Sequence, residues 1–161
     1  MEELPQLYLE NQLCFPLYAT SRLTTQIYYP FLQELGITYP QYLVMLALWQ
    51  HDVQSVKSLG EQVFLESNTL TPLLKRLESK KFIKRERSQT DERTVLISLT
   101  PAGAALKYKA KEIPKKIIDS FQDNSITEKE VLDFQATLFK LLGILHKRTL
   151  QSEVLNSEFN D

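Results

Sequence analysis

Two sets of residues in this chain could do chemistry, and the first is a lone thiol among phenols. Cys14 is the single cysteine of 161 residues. It cannot close an internal disulfide, so it either packs as a small hydrophobe or reacts with something outside the chain. It lies in LENQLCFPLY, near the start of a helical pattern, where the helix dipole favours a thiolate. Tyr18 follows one turn later on the same face and can donate a hydrogen bond. Tyr28 lies fourteen residues beyond Cys14, about 21 Å by helical rise. The two cannot meet within one straight helix, so contact requires a second subunit. A hydroperoxide takes a thiolate to sulfenic acid, and without a second cysteine the next step needs an external thiol or more oxidant. A thiol peroxidase is the enzymatic alternative. It calls for a resolving cysteine or a cationic pocket, and the nearest basic residue in sequence is Arg22. His51, His146 and Cys14 lack zinc-ligand spacing. No metal, cofactor or catalytic residue is expected.

The second set is cationic. SNTLTPLLKRLESKKFI is an amphipathic run, and KRERSQTDERTVLISLTPAG follows it with hairpin character. Net charge over the whole chain is −1, which by itself argues weakly against nucleic acid. The distribution matters more. Residues 1–56 carry one basic and five acidic side chains, residues 57–93 nine and six, and the remainder nine and nine. The excess peaks at Lys75 to Arg87, with seven basic and two acidic residues. A local patch of this kind suits phosphate, although a solvated helix face would look similar. Ser67, Asn68, Thr69, Thr71, Lys75 and Arg76 lie off the leucine stripe or at the N-terminus of the run. Their small hydroxyl and amide groups allow close approach to base edges, and a helix N-terminus favours phosphate. Arg93 near a hairpin tip can enter a narrow minor groove, with Asp91 two residues earlier holding its guanidinium in a bidentate pair. Glu92 faces solvent. Arg85 and Arg87 are phosphate contacts or plain surface.

The elements that must position these groups follow from periodicity. Leu13, Leu17, Leu23, Ile27, Phe31 and Leu35 predict a long first helix ending at Gly36. Thr38 caps a second helix with Pro40 in its first turn, and Leu43, Leu46 and Trp49 are expected inward. Ser55 caps a third helix from Val56 to about Phe64, with Leu59 and Val63 inward. Ser67 is expected to cap the fourth, buried through Leu70, Leu73, Leu74 and Leu77, with Pro72 in its first turn. Strands at 82–87 and 94–99 form a two-stranded hairpin around a polar turn. Thr100 and Pro101 open a fifth helix that Pro114 kinks or breaks. Thr127 to Glu130 is a capping box for the last helix, whose apolar face runs from Val131 through Leu145. Residues 1–8 and those from about Thr149 onward read as frayed.

The fold class is therefore mainly α (α+β): one domain over 1–161, with a winged helix-turn-helix at 38–100. Segments 9–37 and 101–149 carry more apolar surface than a compact reader can cover. They are expected to form a helical dimerisation region from both chain ends, and a two-fold dimer would supply two recognition helices. A hydrophobic content of 43% and a charged content of 24% are ordinary for a globular protein. No apolar run approaches the ~20 residues of a membrane span, and the acidic start lacks a signal-peptide core. One cysteine and no leader suit the cytoplasm.

This arrangement resembles the MarR family of bacterial regulators over roughly residues 8–148. LENQLCFPLY, ITYPQY, SNTLTPLLKRLE and DERTVLISLT carry the resemblance. Within the family they are similar to the single-cysteine organic-hydroperoxide-responsive repressors, and the redox-sensing staphylococcal virulence regulators share much of the pattern. The resemblance implies a homodimer on double-stranded operator DNA, with contacts from the Ser67–Arg76 and Arg85–Arg93 positions. It implies that Cys14 of one subunit bonds Tyr28 and Tyr39 of the other, with Tyr18 in support. It also implies organic hydroperoxide and a low-molecular-weight thiol as reactants at Cys14. Three departures bear on this: Pro16 replaces an apolar residue, Asn68 replaces Gly, and Glu66 replaces Asp. A regulator of the same fold gated by a phenolic ligand in the dimer cleft is the alternative.

Overall fold

In the computed structural model, residues 3–121 and 125–158 are described, with side chains as far as residue 151. The chain divides into two compact units, 1–117 and 118–161. The first opens with two single 3-10 turns, Pro5–Leu7 and Leu9–Asn11. Then come α1 (Cys14–Glu34), α2 (Tyr39–Gln50), β1 (Gln54–Ser55), α3 (Val56–Val63), α4 (Ser67–Ser79), β2 (Ile83–Arg87), β3 (Val95–Leu99) and α5 (Pro101–Ala110). α6 (Ile113–Ser120) leads into the second unit, where α7 spans Glu128–Glu158.

Local chemistry sets most boundaries. α1 ends where Gly36 takes φ +69, a conformation costly for a residue with a Cβ. Thr38 opens α2 in a capping box, its N–H donating to Gln41 Oε1 at 3.0 Å. The Ser55 hydroxyl accepts from Ser58 N–H at 3.0 Å, and that of Thr100 from Gly103 N–H at 3.0 Å. Thr127 and Glu130 reciprocate at the head of α7. The expected break near Pro114 falls at Lys111–Glu112, between α5 and α6, because proline lacks the N–H that would reach back to Ala110.

Several expectations need correction. The N-cap of α4 is Glu66, and Ser67 is its first helical residue. Pro72 is then the sixth residue of the helix and lies outside the first turn. The Asn68 carbonyl consequently has no proline N–H to accept. In α2 the core is made by Val44, Met45 and Leu48, at most 1% exposed, whereas Leu46 is 37% exposed. Leu43 and Trp49 are half-buried. The reason is that α2 is apolar nearly all round, so its periodicity selects no face and packing decides. The wing is not a two-stranded hairpin alone. β1 pairs antiparallel with β3 on the edge opposite β2, in the order β1-β3-β2. The N-terminal stretch holds two short turns, and α7 continues as helix past Thr149.

The core of the first unit joins α2, α3, α4 and the sheet through Leu59, Leu70, Leu74, Leu77, Ile83 and Ile97, none above 2% exposed. A Cβ on Gly60 would come within 2.8 Å of the Leu65 carbonyl, so the turn between α3 and α4 closes only over a glycine. Both chain ends keep apolar side chains in solvent. Leu7, Leu9, Leu13 and Leu23 are 58–76% exposed in the first unit, and Leu132, Phe134, Phe139 and Ile144 are 52–65% exposed on α7.

Candidate nucleic-acid interface and thiol site

α3, the turn at residues 64–66 and α4 form a helix-turn-helix, and β2 and β3 flank it. Ser67, Asn68, Thr69, Lys75 and Arg76 are exposed on α4, and Thr71 is half-buried, while Leu70, Leu73, Leu74 and Leu77 turn inward. The polar face anticipated from spacing is thus presented to solvent. Ser67 and Thr71 meet Arg85, Arg93 and Thr94 in a cleft of about 430 Å³ between α4 and the wing. Ser55, Val56, Lys57 and Val95 complete its lining. None of these was selected as a site residue from the sequence; a lysine two residues after the Ser55 cap at the head of α3 was the available signal. Asn68 and Glu66 are bonded to each other, Asn68 Nδ2 donating to Glu66 Oε2 at 3.3 Å. The Thr69 hydroxyl in turn donates to Asn68 Oδ1 at 3.1 Å.

The tip of the wing also differs from expectation. Asp91 does not clamp the Arg93 guanidinium. Its Oδ1 accepts from the Arg93 backbone N–H at 3.0 Å and its Oδ2 from the Thr94 hydroxyl at 2.7 Å. The Thr94 bond, and then the Arg93 N–H, hold this carboxyl below the usual aspartate range. Asp91 therefore shapes the turn, and the exposed Arg93 side chain is left available for a ligand. Arg85 is tied to α4 instead, its guanidinium 3.7 Å from the Glu78 carboxylate. Its Nε is buried without a partner, so one strong donor stays unspent at the cleft wall.

Cys14 is the first residue of α1 and is exposed. Tyr18, one turn on, is 60% exposed, with the Arg22 guanidinium 5.7 Å from its ring centre. Tyr28 and Tyr39 lie far along the chain from Cys14 but against each other, with ring centroids 4.9 Å apart. Tyr42, which the sequence did not single out, extends the cluster at 5.9 Å from Tyr28 and 6.2 Å from Trp49. Trp49 is fixed by its indole N–H, donating to the Gly103 carbonyl at 2.9 Å. Burial, with Tyr39 and Tyr42 adding to it, pushes the Tyr28 phenol up to about 12, and burial also raises Tyr39 and Tyr42. At neutral pH these phenols are protonated donors. Among the described residues, neither the Tyr28 nor the Tyr39 hydroxyl has a hydrogen-bond partner, and no bond joins Cys14 to a tyrosine.

A helix-turn-helix with a cationic wing on a three-stranded sheet defines a winged-helix DNA-binding protein. The description "Transcriptional regulator SarA/Rot" matches residues 26–113. The chain is 50% identical, over 87% of its length and 93% of the relative's, to the organic hydroperoxide resistance transcriptional regulator of Bacillus subtilis. It is 43% identical to the HTH-type transcriptional regulator SarZ of Staphylococcus aureus, over 78% of this chain and 83% of that one. The reduced AbfR of Staphylococcus epidermidis, solved bound to DNA, superposes with a TM-score of 0.70 at 40% identity, covering 88% of this chain and 96% of the other. The same protein with its disulfide formed superposes with a TM-score of 0.59 at 40% identity, covering 86% and 95%. The chain belongs to the SarA/Rot family of MarR-like winged-helix transcriptional regulators. It is a DNA-binding regulator of this type, and none of its described helices is long and apolar enough to cross a membrane.

Proposed function

We propose that this protein is a homodimeric repressor that leaves its operator when an organic hydroperoxide oxidises Cys14. One observation carries the reading: an exposed thiol opens α1, while Tyr28 and Tyr39, fourteen and twenty-five residues along, pair as protonated phenols with unused hydroxyls. A second copy, covering the apolar side chains at both chain ends, brings the Tyr28 and Tyr39 of one subunit to the Cys14 of the other. Segments 9–37 and 101–149 make this dimer layer, and 38–100 reads DNA. The similar Bacillus regulator is named for organic hydroperoxide resistance, and the similar AbfR exists both reduced on DNA and with a disulfide formed. Light scattering at micromolar concentration is expected to give twice the chain mass of 18.7 kDa. A stable monomer there would remove the route from Tyr28 to Cys14.

The chemistry balances as follows. The Cys14 thiolate attacks the distal peroxide oxygen, the O–O bond breaks, and the alkoxide leaves and takes a proton to become an alcohol. Cys14 is then a sulfenic acid. A low-molecular-weight thiol displaces its hydroxyl as water, leaving a mixed disulfide. The added bulk lies in a packed interface, where overpacking costs about 1–3 kcal/mol. Each ~1.4 kcal/mol is tenfold in affinity, so one modified site suffices to release DNA when the interface has two discrete arrangements. On this reading Ser67, Asn68, Thr69, Thr71, Lys75 and Arg76 meet the major groove and nearby phosphates, Arg85 a phosphate, and Arg93 the minor groove. A gel shift on the chain's own upstream DNA tests the whole. The expected result is a retarded band that cumene hydroperoxide plus free cysteine abolishes and dithiothreitol restores. Release by a phenolic ligand, with no response to peroxide, would favour gating in the dimer cleft instead.

A further inference from the structure

Lys80 has no part in the reading so far, yet it joins the two ends of the switch. It caps the C-terminus of α4, and its backbone N–H donates to Arg76 O at 3.2 Å. Lys81 then takes φ +60, and Phe82 N–H returns to Leu77 O at 3.1 Å, so α4 ends in a fixed turn. From that turn the Lys80 ammonium reaches back across the fold to the Gly36 carbonyl. It also lies 3.5 Å from Gln41 Oε1. Gln41 is 2% exposed and caps α2 by accepting the Thr38 N–H. Tyr39 follows Thr38, its ring tilted against that of Tyr28 at a centroid distance of 4.9 Å. One cation therefore sits at the C-terminal ends of both α1 and α4, where helix dipoles favour it, and it grips the corner that carries the tyrosine pair.

We propose that Lys80 is a positioning residue that couples the Tyr28–Tyr39 pair to the recognition helix. A shift of the α1–α2 corner passes through the Gly36 and Gln41 bonds to the end of α4. The inference rests on the reading that this pair serves the Cys14 sensor. Lys80 stands thirteen residues from Ser67, about 20 Å by helical rise, so it acts on DNA through the pose of α4.

The test is a fluorescence-anisotropy titration of a labelled duplex from the chain's own upstream DNA. It uses the reduced protein and the protein treated with cumene hydroperoxide plus free cysteine. Wild type is expected to lose about tenfold or more in affinity on oxidation, and Lys80→Met less than about threefold. Lys80→Arg, which keeps a cation of similar reach, is expected to restore most of the wild-type ratio. A second readout needs no oxidant. In the reduced protein, the affinity losses of Tyr28→Ala and Lys80→Met are expected to depart from multiplicativity by about threefold or more. Equal weakening of both redox forms with a multiplicative cycle would mean a merely structural lysine and overturn the proposal. So would a lowered salt slope with an unchanged oxidation ratio, which would mark a phosphate contact. If wild type ignores the oxidant while the cycle still shows coupling, the redox reading falls and the coupling stands.

Discussion

Cys14→Ser is expected to bind operator with wild-type affinity and to stay bound under cumene hydroperoxide and cysteine. Wild type is expected to lose about tenfold or more under the same treatment. The serine is close in volume and retains a hydroxyl for the phenols of the proposed partner, so the proposed interface would keep its packing. It has no sulfur to climb the oxidation ladder. Position 14 is exposed in the isolated chain, so its replacement leaves no hole in the core. The measurement is a gel shift with increasing hydroperoxide, supported by intact mass to show that wild type gains one cysteine adduct per modified chain. Release of Cys14→Ser at the wild-type oxidant concentration would sink the redox reading and leave the ligand-gated regulator in its place.

Arg93→Ala is expected to weaken operator binding by about 1–3 kcal/mol, roughly fivefold to 150-fold, with no change in the thermal midpoint. The turn it stands in is built from its own backbone N–H, the Asp91 carboxylate and the Thr94 hydroxyl, and alanine keeps all three. The side chain itself is exposed and has no ion-pair partner among the described residues. On the proposed reading its loss removes a DNA contact and little else. Lys75→Ala provides the contrast. A phosphate contact on α4 should weaken binding evenly across sequences and lower the salt slope by about one. Unchanged affinity in Arg93→Ala would show that the wing does not read DNA.

Much of this molecule was legible before any coordinates, because the signals are local. Thr38 with Pro40, Ser55, Thr100 with Pro101, and Thr127 with Glu130 announce helix starts, their side-chain oxygens meeting orphan N–H groups and their prolines needing none. Gly36 and Pro114 announce ends by what their backbones can and cannot do. The leucine stripe of α4 and the cationic run after it point to a polar face beside a hairpin. The singleness of Cys14 dictates that any disulfide must use a thiol from outside the chain.

Most of what tertiary structure alone decided involves partners distant in sequence. The inward face of α2 is set by what packs on it, since an apolar helix has no preferred side of its own. β1 is two residues long, too short for alternation to show, and exists only because β3 offers an edge. Asp91 and Arg93 looked like an ion pair by charge and spacing. The turn instead presented a backbone N–H and a hydroxyl to the carboxylate, and these nearer donors took it. Tyr42 joined Tyr28 and Tyr39 because α1 and α2 pack there, and that burial raises the phenols above their ordinary value. Lys80 reads in sequence as one more cation in a basic run. Only the fold carries its ammonium across 44 residues to the Gly36 carbonyl, because a contact at such separation is chosen by packing and leaves no period in the chain.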